Sequence, residues 1–255
     1  MMIRKLQHSI WQSVLNVLAP HQCLACGKLL SETFSPERFS LLTYLCQRCL
    51  DRMPIAPASE YLFSEISKNF SRDEFALSSI TAQFARHDTL DPELTNDTAT
   101  TSISELLYAL KYHGLNNIGR ALGRELGKTL YLLGYTTYDA LVPVPIHSAR
   151  KRERGYNQSE YIAQGITDIL RIPLKADIVR RTTYTLSQTY FSAEERKQNV
   201  HGVFTVQTKY RQSLKGASIL LVDDILTTGA TLNACAMTLL EQGAIRVDAA
   251  TAAKA

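Results

Sequence analysis

No stretch of this sequence approaches the roughly 18 consecutive apolar residues that a membrane span requires, so no part of it is expected to insert into a bilayer. A strong excess of one charge is also lacking: 28 Lys and Arg stand against 24 Asp and Glu, a net +4 over 255 residues. That bias is too mild to announce nucleic-acid binding from charge alone, and local clusters have to decide the matter. A secretory leader is not expected either. The opening MMIRKLQHSIWQSVLNVLAP begins basic and turns apolar, but Gln7, His8, Gln12 and Asn16 interrupt it and no small-x-small cleavage site follows. Ile3, Leu6, Ile10, Val14 and Val17 recur instead at helical spacing, which predicts a short amphipathic helix packed on its own protein. The expected compartment is therefore reducing and cytoplasmic. What is present, 45% hydrophobic and 20% charged residues, is the composition of an ordinary globular chain able to bury a core. At about 150 residues per domain, the length allows one large domain with a small companion, or two modest ones.

Four of the five cysteines fall in two pairs, Cys23-Leu-Ala-Cys26 and Cys46-Gln-Arg-Cys49, separated by the 19 residues from Gly27 to Leu45. Each C-x-x-C turn aims two thiolates at one point, and two such turns complete a tetrahedral site; the separation lies within the range of roughly 15 to 20 typical of paired zinc knuckles. Gly27 permits the tight turn after the first pair. Disulfides are the alternative, and a reducing compartment weighs against them. His21 could replace one cysteine as a ligand. Structural zinc on Cys23, Cys26, Cys46 and Cys49 is the expectation, a closed site that holds a fold together and does no chemistry. Cys235, on the apolar face of a predicted helix, reads as an inert core thiol.

Pro54 and Pro57 mark a linker, residues 61–86 mix polar and apolar side chains, and DTLDPELTNDTATTS at 88–102 reads as an exposed loop. Thr101 or Ser102 then caps a helix whose apolar stripe is Ile103, Leu106, Leu107 and Leu110; Gly114 interrupts it, and Ile118, Leu122, Leu126 and Leu130 resume it. Gly123-Arg-Glu-Leu-Gly127-Lys128-Thr129 resembles a P-loop at a glance. Three residues separate its glycines where a P-loop has four, and it continues a helix rather than following a strand. Beyond Gly134, strands and helices alternate: a strand at 139–145, a helix at 159–170, a strand at 215–224, a loop and helix at 227–244, and a final strand from Ile245. Repeated βα units with unalternating apolar strands imply an α/β fold, a parallel sheet covered by helices. The chain thus divides into an N-terminal helix and cysteine module (1–55), a linker or irregular region (56–100) and an α/β domain (101–255).

In such sheets ligands sit beyond the carboxyl ends of the strands. The apolar run Ile219-Leu220-Leu221-Val222 leads there into Asp223-Asp224-Ile225-Leu226-Thr227-Thr228-Gly229-Ala230-Thr231 and an amphipathic helix. Two acids can accept hydrogen bonds from a sugar's vicinal hydroxyls, while small and hydroxyl-bearing residues opening a helix present backbone N–H groups to a phosphate. Upstream, Arg150, Lys151, Arg152 and Arg154 against Glu153 leave a local +3 (four minus one), suited to a diphosphate or to plain solvation. Arg154, Gly155, Asn157 and Gln158 form a compact polar group opening the next helix.

The Asp223-to-Thr231 segment resembles the signature of type I phosphoribosyltransferases, which bind 5-phosphoribosyl 1-diphosphate (PRPP). With VPVPIHSARKRERGYNQSEYIA (142–163), the R-R-T-x-x-T-x-x-Q run from Arg180, the later R-K-x-N-V-H-G-V-F and the cysteine pairs, most of the chain is similar to the ComF family, also called ComF/GntX. That resemblance implies a type I phosphoribosyltransferase-like parallel sheet flanked by helices, with a small N-terminal zinc-binding module. It implies Asp223 and Asp224 at the ribose hydroxyls, Thr227, Thr228, Gly229, Ala230 and Thr231 around the 5-phosphate, and Mg with PRPP. It also makes 180–202, with Arg180, Arg181, Gln188, Arg196, Lys197 and Asn199, a loop closing over substrate; Tyr184, Tyr190 and Phe191 could serve there as stacking platforms for unpaired bases. The family is associated with DNA uptake in competent bacteria, so handling of incoming single-stranded DNA is the leading expectation. A phosphoribosyltransferase with an unidentified acceptor and a PRPP or nucleotide sensor are the alternatives, and no side chain is an obvious general base.

Overall fold

The computed structural model describes residues 21–30, 39–86, 102–182 and 203–255. The helix expected around Ile3 to Val17 and nearly all of the loop expected over 88–102 lie outside them. The first cysteine turn is a small hairpin: Gln22 and Leu29 bridge antiparallel, and Leu30 N donates to His21 O at 2.8 Å. Cys46 opens a short helix, α1 (Gln47–Asp51).

Two elements then arise where a linker was expected. Helix α2 (Ser59–Ser67) and strand β1 (Ser79–Ala85) correct the irregular reading of 56–100 over most of its described part. The sequence hid β1 because Thr81 and Gln83 interrupt its apolar run, yet both are buried, Thr81 Oγ1 lying 2.9 Å from Ser59 Oγ at the start of α2. Gly114 does divide the long helical stripe, into α3 (Ser102–Tyr112) and α4 (Asn117–Leu132), and the would-be P-loop glycines lie inside α4. Next come β2 (Ala140–Pro143), α5 (Ser148–Arg154), which the sequence showed only as a charge run, and α6 (Gln158–Leu170). Strands β3 (Val179–Arg181) and β4 (Phe204–Val206) pair antiparallel as a separate ribbon. The chain ends with α7 (Arg211–Leu214), β5 (Ser218–Leu226), α8 (Ala230–Glu241) and β6 (Arg246–Lys254).

The main sheet runs β1-β6-β5-β2, every pairing parallel. Its central strand β5 sends Leu220 and Val222 to one apolar layer and Ile219 and Leu221 to the other, which is why it reads as an unbroken apolar run. One layer is filled by α2, α8 and the β3–β4 ribbon, through Leu62, Ile66, Leu232, Leu239, Phe204 and Val206. The other holds α3, α4 and α6, and Cys23, Leu41, Leu45, Cys49 and Met53 belong to that same layer. The cysteine segment expected as a separate module thus shares a core with the α/β domain.

Helices α4 and α6 cross at backbone distance. Gly119, Gly123 and Gly127 recur every fourth residue on the facing stripe of α4; a Cβ at Gly123 would stand 1.9 Å from Ile162 O, and one at Gly165 of α6 would stand 2.1 Å from Arg120 O. Arg120 clasps Asp168 through two bonds of 2.7 Å. That hydrogen-bonded guanidinium holds the Asp168 carboxyl below its ordinary value, so the clasp contributes fully above the usual carboxylate range and is lost as pH falls through the depressed pKa. Gly123→Ala forces backbone apart that no rotamer change can accommodate, and urea unfolding should show a loss of about 1–3 kcal/mol or more; Ala at the open Gly134 makes no such contact.

Candidate functional site

Strand β5 outruns β2. Their pairing ends at Pro143 with Val222, capped by Val144 N donating to Val222 O at 2.8 Å, whereas β6 accompanies β5 as far as Leu226. Asp223 and Asp224 occupy the first positions past that step, so they lie within β5 rather than beyond it, at the carboxyl side of the sheet. Different helices hold the two acids. Asp223 Oδ1 accepts from Ser159 Oγ of α6 at 2.9 Å and from Asp224 N at 2.8 Å. Asp224 pairs with Lys111 Nζ of α3 at 2.9 Å. Burial, and then the neighbouring charge of Asp224, push the Asp223 carboxyl up to about 7.

The loop after β5 makes a shallow, open depression in which Asp223 meets Thr227, Gly229, Ala230 and Thr231. Gly229 has a φ of 79°, which disfavours a side chain, and a Cβ there would stand 2.4 Å from Ile66 Cγ2. Asn69 Nδ2 donates to Thr228 O at 3.2 Å, so α2 and its following turn brace the loop from the stretch expected to be a linker. Helix α8 begins at Ala230 with Gly229 as its N-cap, and the one side-chain approach described is a long 3.4 Å contact from Ala230 N to Thr228 Oγ1. First-turn N–H groups are therefore available to an anion.

The Arg154-to-Gln158 motif is a corner between two helices. Gly155, with φ 82°, ends α5 in the left-handed conformation, Tyr156 Oη donates to Leu110 O, and Asn157 caps α6 by accepting from Ser159 N at 3.2 Å. Asn157 Nδ2 also donates to Val144 O at 2.9 Å. Asn157 and Gln158, of the polar group that opens this helix, are buried at 2% and 1% exposure. Asn157 ties α6 to the end of β2 and so seats Ser159 against Asp223. Of the basic candidates, Arg154 lies over the Tyr112 ring at 5.3 Å and Lys151 pairs with Glu160 at 3.0 Å. Arg181 lies close enough to Arg150 and Asp223 for both to act on it: burial first, then Arg150, lower its pKa, and Asp223 opposes them. Among the described basic candidates, Arg181 is thus the one within electrostatic reach of Asp223. Arg150, Arg152 and Arg180 are exposed. Gln188 and Arg196, with Lys197, Asn199, Tyr184, Tyr190 and Phe191, lie outside the described residues.

At the cysteine pairs all four sulfurs converge within 4.8 Å of one another, Cys26 Sγ to Cys46 Sγ being 3.8 Å. A tetrahedron of thiolates with metal–sulfur bonds of about 2.3 Å has edges near 3.8 Å, so the set fits a metal ion, and His21 is not part of it. None of these cysteines is disulfide-bonded. Burial raises the Cys23 thiol, but the backbone amides of Cys46, Cys26 and Ala25 outweigh it and bring the pKa down to about 7. Cys235 is fully buried and its thiol is pushed well up, chiefly by burial, as an inert core thiol should be.

Sequence reasoning missed Lys111, Ser159, Ile66 and Asn69. Lys111 reads locally as a basic residue complementing a helix C-terminus, and Ser159 as one more polar residue in a helix start. A raised Asp223 makes the site pH-sensitive, because protonation removes the negative charge of this hydrogen-bond acceptor. Were a phosphoribosyl ligand bound there through the Asp223 carboxylate, its affinity should rise from about pH 6 to about pH 8, with a midpoint near the 7 of Asp223. Asp223→Asn should flatten that calorimetric profile. For stability the sign is opposite: the contribution of a raised carboxyl is complete below its unfolded pKa and lost as pH climbs through about 7.

Residues 144–255 match the phosphoribosyl transferase domain family. The chain is 35% identical over 105 residues to Competence protein F of Haemophilus influenzae, covering 41% of this chain and 45% of that protein. It is 32% identical over 149 residues to DNA utilization protein YhgH of Escherichia coli K12, covering 57% and 64%, and 30% identical over 141 residues to Competence protein ComFC of Bacillus subtilis, covering 55% of each. The matched segments therefore span from 45% to 64% of those relatives' own length. With its parallel sheet and the four-cysteine cluster ahead of it, the chain is similar to these competence and DNA-utilization proteins over the matched segments and carries a phosphoribosyl transferase domain match over its C-terminal part.

Proposed function

We propose that this protein handles incoming single-stranded DNA during DNA uptake in the cytoplasm, and that its phosphoribosyltransferase-type domain binds PRPP or a related phosphoribosyl group in doing so. The observation that carries the ligand class is the meeting of Asp223 with the sparsely capped start of α8 in one depression, an acceptor for sugar hydroxyls beside donors for a phosphate. The names of the competence and DNA-utilization relatives support the setting. In this reading Asp223 and Asp224 orient the ribose, the Thr227 to Thr231 loop holds the 5-phosphate, and Arg150 and Arg181 face the diphosphate. Magnesium bound with PRPP would neutralise diphosphate charge. The cysteine centre holds zinc and stiffens the layer it shares with α3 and α4.

The match to the phosphoribosyl transferase domain favours a second reading, transfer of the phosphoribosyl group to an acceptor. Catalysis would then rest on positioning and on stabilising the leaving diphosphate.

Calorimetry with PRPP and magnesium should show binding that Asp223→Ala and Asp224→Ala each weaken by about 1.5–3 kcal/mol. Fluorescence anisotropy should show weak binding of single-stranded oligonucleotides with little sequence preference, its salt slope about 0.7 per phosphate neutralised. Diphosphate release with an acceptor, and no DNA binding at low salt, would move the assignment to the enzyme. Elemental analysis should find one zinc per chain. Because Cys23 and Cys49 share their layer with Leu106, Leu110 and Leu122, chelation or Cys23→Ser should lower the melting temperature of the whole chain; metal-free protein from reducing, zinc-replete preparation would refute the centre.

A further inference from the structure

We propose that the exposed face at the end of α3 is a stacking platform for an unpaired base of single-stranded DNA, formed by Tyr108 and Tyr112. The opposite face of α3 is fixed in the core by Ile103, Leu106, Leu107 and Leu110, so the tyrosines are presented on a rigid support. Four residues apart, they stand one turn above the other on the same side of the helix. Tyr108 is 52% and Tyr112 62% exposed. Their ring centroids lie 4.9 Å apart, and the His113 ring meets Tyr108 edge-on at 5.2 Å. Scattered exposed aromatics need no explanation, but a contiguous group fixed on a rigid helix is the arrangement that single-strand binders present to bases.

Charge identifies the occupant. The Arg154 guanidinium lies 5.3 Å from the centroid of Tyr112, and Arg154 belongs to α5, a helix with no buried residue. That helix carries Arg150, Lys151, Arg152 and Arg154 against Glu153, a net +3 (four minus one). Aromatic faces and phosphate-seeking cations therefore adjoin through one residue, as a strand with alternating bases and phosphates requires. A duplex, its bases already stacked, cannot use the rings. The platform is also continuous with the sugar–phosphate site: Lys111, between the two tyrosines in sequence, pairs with Asp224, and Tyr156 at the end of the Arg154 corner bonds Leu110 O of α3. The stacking role expected of Tyr184, Tyr190 and Phe191 accordingly has a counterpart on a helix.

This inference rests on the DNA-handling reading, and the test separates the two. Anisotropy titrations of the full zinc-containing chain use a labelled oligothymidine, the corresponding duplex, and thymidine 5′-monophosphate as competitor. Tyr108→Leu and Tyr112→Leu, which keep apolar bulk at exposed positions, should each weaken single-strand binding roughly 5- to 150-fold for each base left unstacked. They should leave the melting temperature and the salt slope unchanged. Tyr112→Trp should retain affinity, whereas Arg150→Ala with Arg152→Ala should reduce the slope by about 0.7 for each phosphate no longer neutralised. Parent affinity with both Leu variants unaffected would overturn the platform and leave the DNA reading standing. No binding by the parent would overturn both. Full competition by the mononucleotide near its own binding range, lost in the Leu variants, would overturn the strand as occupant and assign the platform to a free nucleotide.

Discussion

The step in the sheet where β2 stops and β5 continues is the constraint on which the rest of the site depends. Up to Val222, β5 is flanked on both sides and both its faces are covered, so only apolar residues suit it. Past Val222 one edge is released while β6 still holds the other, and that is where ionisable groups can be placed on an ordered backbone. Asp223 and Asp224 take those places, and their surroundings divide their chemistry. Asp223 accepts from a serine hydroxyl and Asp224 faces a lysine ammonium, each at 2.9 Å. Two adjacent carboxylates would repel if both were fully charged, so a raised pKa on Asp223 and an ion pair on Asp224 is the arrangement that electrostatics favours.

Several features far from the acids serve that placement. The glycine crossing of α4 and α6 brings the start of α6 over the sheet, and Asn157 locks that start to Val144, the residue that closes the β2–β5 pairing. On the other layer, α2 and its following turn reach over the loop after β5 with Ile66 and Asn69. The cysteine centre joins the layer that holds α3, the helix that carries Lys111 to Asp224. A metal there would stiffen the support of the acid pair without touching it, which gives a physical reason for the two parts to share one core.

What was legible in the sequence was contiguous in it. The cysteine pairs, the apolar run leading into Asp223-Asp224, the Thr227 to Thr231 loop and the alternation of strands and helices after Gly134 are local patterns, because strand burial, helix periodicity and turn chemistry act over a few residues. The central strands were recognisable within two or three residues of their ends. Strand β1 was not, because its polar Thr81 and Gln83 are satisfied or buried by long-range packing that no local pattern reports. The Arg154-to-Gln158 string was visible as a motif but not as a helix corner, since its hydrogen bonds go to Leu110 and Val144.

The sequence by itself determined which groups are available: four thiols at knuckle spacing, two adjacent acids after a buried strand, and a glycine-bearing loop opening a helix. Tertiary structure alone decided what each of them faces. Lys111 reaches Asp224 from another helix, Ser159 reaches Asp223 across 64 positions of sequence, and Asn69 reaches Thr228 across 159. It also decided that Asn157 and Gln158 lie inside while Tyr108 and Tyr112 remain outside. The physical reason is that composition and periodicity are set by local burial, whereas a partner at hydrogen-bond distance is set by sheet register and helix crossing, which exist only once the layers have packed.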